Sequence, residues 1–234
     1  MARETLTREQ VIKAAIEVLD ADGLEGLNMR RLGSQLGTAP TAVYWHVRSK
    51  DDVVVLAADE LWAEIERPDP DLVGWREAAM IMARSFHAML TRHLWLVQAM
   101  SAHFVFGPGK ARHDEHCLSI YERAGFAGPE ADWALGTVYL FIAGRALGVA
   151  ADAARTRRMD PDPEIRAEEM RKVMAQVVES VRPFPRLFAR VEAYEEPDPA
   201  EPERSFEWGL GAIFDGLEAR LAAARQSRGA DASG

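Results

Sequence analysis

Between Asn28 and Val47 the chain carries two helical stretches, NMRRLGSQL and PTAVYWHV, parted by Gly37. Helices this short do not persist alone in water, so both must bury an apolar side against the helices before and after them. That requirement fixes a small helical core at the front of the chain. Thr7 and Gln10 have the spacing of a capping box, and Leu6 and Val11 that of a hydrophobic staple. Val11, Ala14, Ala15, Val18 and Leu19 then form one stripe of a helix from Arg8 to about Asp22, which Gly23 is placed to end. Asn28 suits the N-cap of the second helix, and Pro40 the first turn of the third, which is expected to run to about Val47. Ser49 and Asp52 repeat the capping-box spacing at the start of a fourth helix, Asp51 to about Glu66. Leu19, Leu27, Leu32, Leu36, Val43 and Val47 are the expected shared core.

The rest of the chain keeps a helical period and has no convincing alternating segment, which predicts an all-α fold. Helices are expected over Val73 to about Thr91, His93 to about Phe106, Ala111 to Ala124, Pro129 to Ala154, Glu164 to Val181 and Ser205 to Ala223. Gly107-Pro108-Gly109, the charged ARTRRMDPDPE and the segment EEPDPAEPE interrupt them, the last as an exposed turn or mobile loop. The domains read as a helix-turn-helix over 1–50, a connecting helix over 51–66, a larger helical domain over 67–225 and a disordered tail over 226–234.

An apolar share of 48% over 234 residues excludes general disorder. A net charge of -9 argues against a chain wrapped in nucleic acid or lying on an anionic membrane. The first fifty residues, however, hold seven basic and six acidic side chains, so phosphate is not repelled there. Cys117 is the only cysteine, which rules out an intrachain disulfide and suits a reducing cytoplasm. MARETLTREQ has no basic segment leading into an apolar run, so no secretory signal is expected. WALGTVYLFIAGRALGVAADAA holds Arg145 within its apolar span, and reads as a buried helix in preference to a membrane crossing.

Two short helices joined through a glycine have the form of a helix-turn-helix, whose second helix enters the major groove of double-stranded DNA. Val43 and Val47, four apart, face inward together, and Thr41, Ala42, Tyr44, Trp45 and His46 cannot all join them. Hydroxyl, methyl, aromatic and imidazole groups suit base edges and phosphates, with Arg30 before the turn and Lys50 after the second helix as positive contacts. The same residues leave a plainer reading open: Tyr44 and Trp45 as cover for the core, His46 and Lys50 as ordinary surface.

The stretch LTREQVIKAAIEVLDADGLEGLNMRRLGSQLGTAPTAVYWHVRSKDDVV resembles the TetR family of bacterial transcriptional repressors over Leu6 to Val55, and its YWH triplet with Lys50 is close to the tetracycline-repressor branch. The resemblance implies a helical homodimer on a palindromic operator, one reader per subunit, and a separate ligand-responsive domain. It assigns Arg30 a base contact, Thr41 and Ala42 specificity positions, Tyr44, Trp45 and His46 aromatic and imidazole contacts, and Lys50 a phosphate. Gly136, Gly144, Gly148, Gly209, Gly211 and Gly216 lie among Val138, Leu140, Phe141, Leu147, Phe206, Leu210, Ile213, Phe214 and Leu217. By composition these serve an intrachain core or a subunit seam equally well. The resemblance favours the seam, made by the helices near 129–154 and 205–223.

Bulky apolar groups with a few polar ends suit a small organic effector. Met82, Phe86, Met100, His103, Phe104, His116, Tyr121 and Thr137 are the candidates. His113, His116 and Cys117 in HDEHC do not have the spacing of a closed zinc site, so neither metal nor cofactor is expected, and a surface helix is the simpler reading. Aligned on the tetracycline repressors, Met82 stands at a ligand-binding asparagine and Met100 at the metal-binding histidine. A thioether is a poor donor to magnesium, which implies a different and more apolar effector. No nucleophile triad, HExxH helix or phosphate loop points to an enzyme. The alternatives are a DNA-binding activator, or a helical ligand-binding protein or enzyme that does not read DNA.

Overall fold

The computed structural model describes residues 6–193, 198 and 200–231, and among them there are helices and no strand. Helix α1, Arg8–Gly26, starts on the complete capping box: the Thr7 hydroxyl accepts the Gln10 N–H and the Gln10 carboxamide accepts the Thr7 N–H. Its regular part stops at Gly23, whose φ of 70° interrupts the helical path. Helix α2, Met29–Gln35, is capped by Asn28, which accepts the Arg31 N–H at 2.9 Å. Gly37 then turns the chain at φ 62°, and α3, Pro40–Val43, begins with proline at its first position.

α3 is shorter than the expected run to Val47. Its end tightens, with Trp45 N–H bonded to the Ala42 carbonyl and His46 N–H to that of Val43. Aromatic and β-branched residues are poor helix formers, and i+3 bonding is a common way to finish such a turn. Helix α4, Lys50–Leu61, is capped by Ser49, while Asp52 accepts the Arg48 N–H, one residue before the cap. It ends in a 3-10 turn, Trp62–Glu64. Leu19, Leu27, Leu32, Val43 and Val47 are buried as expected, and Leu36 only half so. Each fully buried leucine or valine contributes about 1.5–3 kcal/mol, so the short helices hold by packing.

The joint between α2 and α3 leaves no room for a side chain. A β-carbon on Gly33 would stand 2.9 Å from the Thr38 carbonyl oxygen and 3.1 Å from the Pro40 nitrogen. That approach lets the Thr38 N–H reach the Gly33 carbonyl at 2.8 Å.

Beyond α4 come α5, Pro70–Val73, α6, Trp75–Arg92, α7, Leu94–Ala102, α8, Pro108–Ala124, and α9, Pro129–Arg158. α10 covers Pro163–Val181, α11 Pro185–Glu192 and α12 Glu201–Asp231. The chain divides into two compact units, one made of the described residues of Met1–Ala150 and Leu210–Gly234, the other of Ala151–Gly209. In the second unit α11 lies against α10, and neither helix has a buried residue. α11 has no counterpart among the expected helices, and Pro185 serves as its first residue. The expected loose tail after Arg225 is instead helix as far as Asp231, consistent with the helix-forming run RLAAARQSR. Of EEPDPAEPE, residues 195–197 and 199 lie outside the described residues, and Glu201, Pro202 and Glu203 form the first turn of α12 where a loop is expected.

In the first unit α4 is tied to α8. The Asp59 carboxylate accepts the Gly109 and Lys110 N–H groups, both at 2.9 Å. These are donors that the first turn of a helix leaves without intrahelical partners. A β-carbon at Gly109 would lie 2.1 Å from the Asp59 carbonyl oxygen, so only glycine admits the contact. A second tie joins α1, α4 and α7: His93 sets its ring nitrogens 2.7 Å from Asp20 and 3.2 Å from Glu64, and the Trp95 indole N–H donates to the same Asp20 oxygen. Arg76 of α6 binds Asp215 and Glu218 of α12, both at 2.6 Å.

α9 corrects one expectation. It is long and apolar enough by composition to cross a membrane, yet only one face is inside the chain, carrying Ala131, Ala134, Val138, Ile142, Ala146 and Ala150. Trp133, Leu140 and Leu147 are exposed. The run is therefore buried along one face only, because its apolar surface extends around more of the helix than its neighbours cover.

Replacing Gly33 with alanine is expected to cost about 1–3 kcal/mol, since the new carbon meets backbone that cannot rotate away. Urea denaturation checks this, with the exposed Ser34→Ala as a control expected to lie within about 0.5 kcal/mol of the parent.

Candidate nucleic-acid interface and ligand cavity

Burial of Val43 and Val47 turns the other side of the second short helix outward. Thr41 and Tyr44 are exposed, and Trp45 is 88% exposed, so the aromatic pair does not serve as cover for the core. Ala42 and His46 are half buried and line an open groove with Gln10 and Lys13 of α1 and Ser34 and Gln35 of α2. Arg30 is exposed on α2, while its neighbour Arg31 is held 2.5 Å from Asp22. Lys50 is exposed at the first position of α4. The fold thus presents a hydroxyl, a phenol, an indole and an imidazole on one protruding segment, with no apolar neighbour claiming the indole. A surface of this composition can donate to and accept from base edges and stack on sugars.

The cavity lies between α6, α8 and α9, walled by Met82 and Phe86, by His113, Cys117 and Tyr121, and by Tyr139 among others. About 430 Å³ of space, part of it open to solvent, lies among these side chains. Only about 30 Å³ admits the centre of a water molecule, so the cavity holds a water or two as it stands. An organic ligand must open it by turning side chains. Phe86 stacks on Tyr139 at 5.3 Å and on Trp62 at 5.2 Å, and the Trp62 ring lies 4.8 Å from that of His113.

One edge of this apolar space is polar. Burial lowers the His113 pKa to about 4, so the ring is neutral at pH 7. Burial likewise pushes the Cys117 thiol up to about 12 and raises both tyrosines. The Cys117 sulfur is 3.5 Å from His113 Nε2. His113 Nδ1 and Trp62 Nε1 are buried and have no hydrogen-bond partner. Lys110 faces the rings of Trp62 and Tyr139 at 5.0 and 5.4 Å and grips both oxygens of Asp114 at 2.5 and 2.6 Å.

Of the eight ligand candidates, the fold brings Met82, Phe86 and Tyr121 to the cavity wall. Met100 and His103 are half buried and lie off it. Phe104 is exposed and stacks on Phe106, His116 donates from Nε2 to the Pro68 carbonyl at 2.9 Å, and Thr137 is exposed with its hydroxyl on the Trp133 carbonyl. Helical phase explains the sorting. His113, Cys117, Ile120 and Tyr121 share the inward stripe of α8, and His116 sits at its edge; Leu135, Val138, Tyr139 and Ile142 do the same on α9, leaving Thr137 outside. The surface reading of HDEHC is therefore corrected for His113, which is 6% exposed. Counting back in steps of three and four from Tyr121 would have found it. Among the described residues no group of three His, Cys, Asp or Glu side chains gathers where it could hold a metal.

The predicted seam narrows in the same way. Val138, Phe206, Leu210, Phe214 and Leu217 are buried within the chain, whereas Leu140 and Leu147 remain exposed. Apart from the helix's own neighbouring backbone, no atom lies within 4 Å of a β-carbon placed on Gly136, Gly144, Gly148, Gly211 or Gly216.

Residues 11–57 match the family described as bacterial regulatory proteins, tetR family, and residues 67–221 match the tetracyclin repressor-like C-terminal domain. The HTH-type transcriptional repressor DrrR1 of Streptomyces coeruleorubidus is 31% identical over 95% of this chain and 81% of its own length. The class A tetracycline repressor protein from transposon 1721, in Escherichia coli, is 30% identical over 94% of each chain. Apo ActR from Streptomyces coelicolor superposes with a TM-score of 0.74 at 25% identity, covering 95% of this chain and all of that one. ActR in complex with actinorhodin gives 0.72 at 25% identity, over 93% of this chain and 97% of that one.

A histidine buried neutral binds fewer protons in the folded than in the unfolded chain between pH 6.5 and 4. Stability is therefore whole above about pH 6.5, falls as the pH drops toward 4, and levels off below it. His113 is expected to account for about 3 kcal/mol of that loss. Denaturant titrations at pH 7 and pH 4.5 check this, since His113→Phe should lose markedly less stability than the parent over the same interval.

Proposed function

The chain belongs to the tetR family of bacterial regulatory proteins, and from that premise we propose that it is a ligand-responsive repressor, bound to a palindromic operator as a homodimer and released by a small, largely apolar effector. The observation that carries this reading is the outward indole and phenol of Trp45 and Tyr44 beside the inward Val43 and Val47. In this division of labour residues 1–50 read DNA, 51–66 connect, and 67–225 bind the effector and the second subunit. Thr41, Ala42, Tyr44, Trp45 and His46 meet base edges and the nearby backbone, Arg30 adds a base contact, and Lys50 a phosphate.

Dimerisation through α9 and α12 is supported by exposed Leu140 and Leu147 and by the open space above Gly136, Gly144 and Gly216. Such helices approach closely when small residues face each other, and two-fold symmetry sets two readers on two half-sites. The regulator works in the cytoplasm, where its operator is, and the proposed mechanism uses no cofactor.

For release, a ligand entering between α6, α8 and α9 displaces Phe86, which stacks on Trp62 at the end of α4. α4 packs on α1, and α1 on α2, so a shift at Trp62 reaches the reader segment through α1. Repression is relieved only to the extent that the ligand binds the weak-DNA state better. The ActR complexes support a ligand-binding role for a domain of this fold.

Selection of genomic fragments on the purified protein, followed by footprinting, is expected to give two protected half-sites. Arg30→Ala and Tyr44→Ala should each weaken operator binding by about 1–3 kcal/mol with the dimer retained. Binding without base preference and with steep salt dependence would overturn the assignment. Tetracycline with magnesium should give no metal-dependent rise in melting temperature, because Met82 on the cavity wall offers no hard donor.

A further inference from the structure

Two readers can address two half-sites together only if each stands at a fixed angle on the helices that join the subunits. Side chains that touch both the reader's support and those helices set that angle, and His93 is one of them. It forms the corner between α6 and α7: its N–H donates to the Met89 carbonyl of α6, and its carbonyl accepts the Leu96 N–H of α7. The backbone is therefore held from both sides, and the residue, 4% exposed, has little freedom to turn its ring.

A carboxylate oxygen only accepts, so His93 Nδ1 donates to Asp20 Oδ1 at 2.7 Å. The Trp95 indole donates to the same oxygen at 2.8 Å. Asp20 lies on α1, and α1 packs on α2. Two donors from one corner thus converge on a single atom of α1, which fixes a direction as well as a distance. Across the ring, Nε2 faces Glu64 at 3.2 Å, and Arg92, the last residue of α6, binds the same carboxylate at 2.5 Å. One imidazole therefore gathers α1, the turn after α4 and the end of α6. At its other end α6 is tied by Arg76 to Asp215 and Glu218 of α12, a helix of the proposed subunit seam. With eighteen residues, α6 spans about 27 Å between the two ties.

We propose that His93 is a positioning residue for DNA recognition: by holding Asp20 it sets the angle of the reader on α6, and with it the separation of half-sites that the dimer accepts. This rests on the reading of the chain as a homodimer on two half-sites. Removing the donors of the ring leaves Asp20 its bond to Trp95 and Glu64 its bond to Arg92, so neither carboxylate is stranded and the fold persists. What disappears is one of two bonds to the same oxygen, and the remaining bond lets α1 pivot about it. A reader loosened in this way still fits its own half-site and tolerates a second one at the wrong distance.

The test measures binding of the full-length protein, by fluorescence anisotropy, to the duplex recovered by genomic selection and footprinting and to two versions with one base pair inserted or removed between the half-sites. Each change moves one half-site by about 3.4 Å and turns it around the helix axis. The parent is expected to prefer the native spacing by about tenfold or more. In His93→Phe and in Asp20→Ala that preference should shrink to about threefold or less, while Asp20→Asn, which keeps the accepting oxygen, should retain it. Asp20 lies at the surface, so its two variants decide the question even where thermal melting finds His93→Phe unfolded. A uniform loss of affinity for all three duplexes with the preference intact marks a structural role only and overturns the inference, as does Asp20→Asn behaving like Asp20→Ala. In both of those cases the parent's own preference keeps the operator reading standing. A parent without spacing preference, or a selection that returns no duplex with two half-sites, overturns the two-half-site reading and the inference with it.

Discussion

The contact on which the first unit depends is the carboxylate of Asp59 at the start of α8. It satisfies two backbone N–H groups of a helix end, from a neighbouring helix, at a spacing that glycine alone permits. An acidic group at a helix N-terminus is further favoured by the helix dipole, so the docking is both geometric and electrostatic. Because Asp59 sits near the end of α4, and α4 packs on α1, which in turn packs on α2, the position of the reader segment is referred to α8 through α1. The cavity wall is built from the same α8. The proposed effector and DNA sites are therefore both tied to the α4–α8 pair, without any direct contact between them.

The two sites also follow opposite physical logic. The reader segment leaves an indole and a phenol in water, which a stable isolated protein gains nothing by doing. The cavity does the reverse and buries an imidazole without a partner for one of its nitrogens. Each departure carries a cost in the unliganded chain, and under the proposed function each is offset when its own partner arrives. The clustering of such exceptions at two places, against an otherwise ordinary helical core, is what separates functional residues from packing ones here.

Much of this was legible in the sequence, for reasons that can be traced to particular residues. Thr7, Asn28 and Ser49 announced helix starts because capping is local chemistry, and the inward stripe of Val11, Ala14, Ala15, Val18 and Leu19 followed from period alone. The outward face of Pro40 to His46 was legible by elimination, once Val43 and Val47 were assigned to the core. What stayed hidden depended on neighbours far along the chain. His113 looked like surface because its own segment, HDEHC, is polar, and only Trp62 and Phe86 from other helices bury it. Phe206 and Phe214 looked like seam because nothing local distinguishes an intrachain face from an intersubunit one. Asp59 drew no attention at all, since a single acid on a helix becomes a clamp only when a glycine fifty residues on is brought against it.

Under the proposed function α4, held by Asp59, transmits the state of the effector domain to the reader. Measuring operator affinity for Asp59→Ala beside the parent protein, with circular dichroism and oligomeric state checked on both, tests that claim most directly. Loosening the clamp should reduce affinity severalfold to about tenfold with the helical content unchanged. An operator affinity equal to the parent's, in a variant that has demonstrably lost the contact, would contradict it.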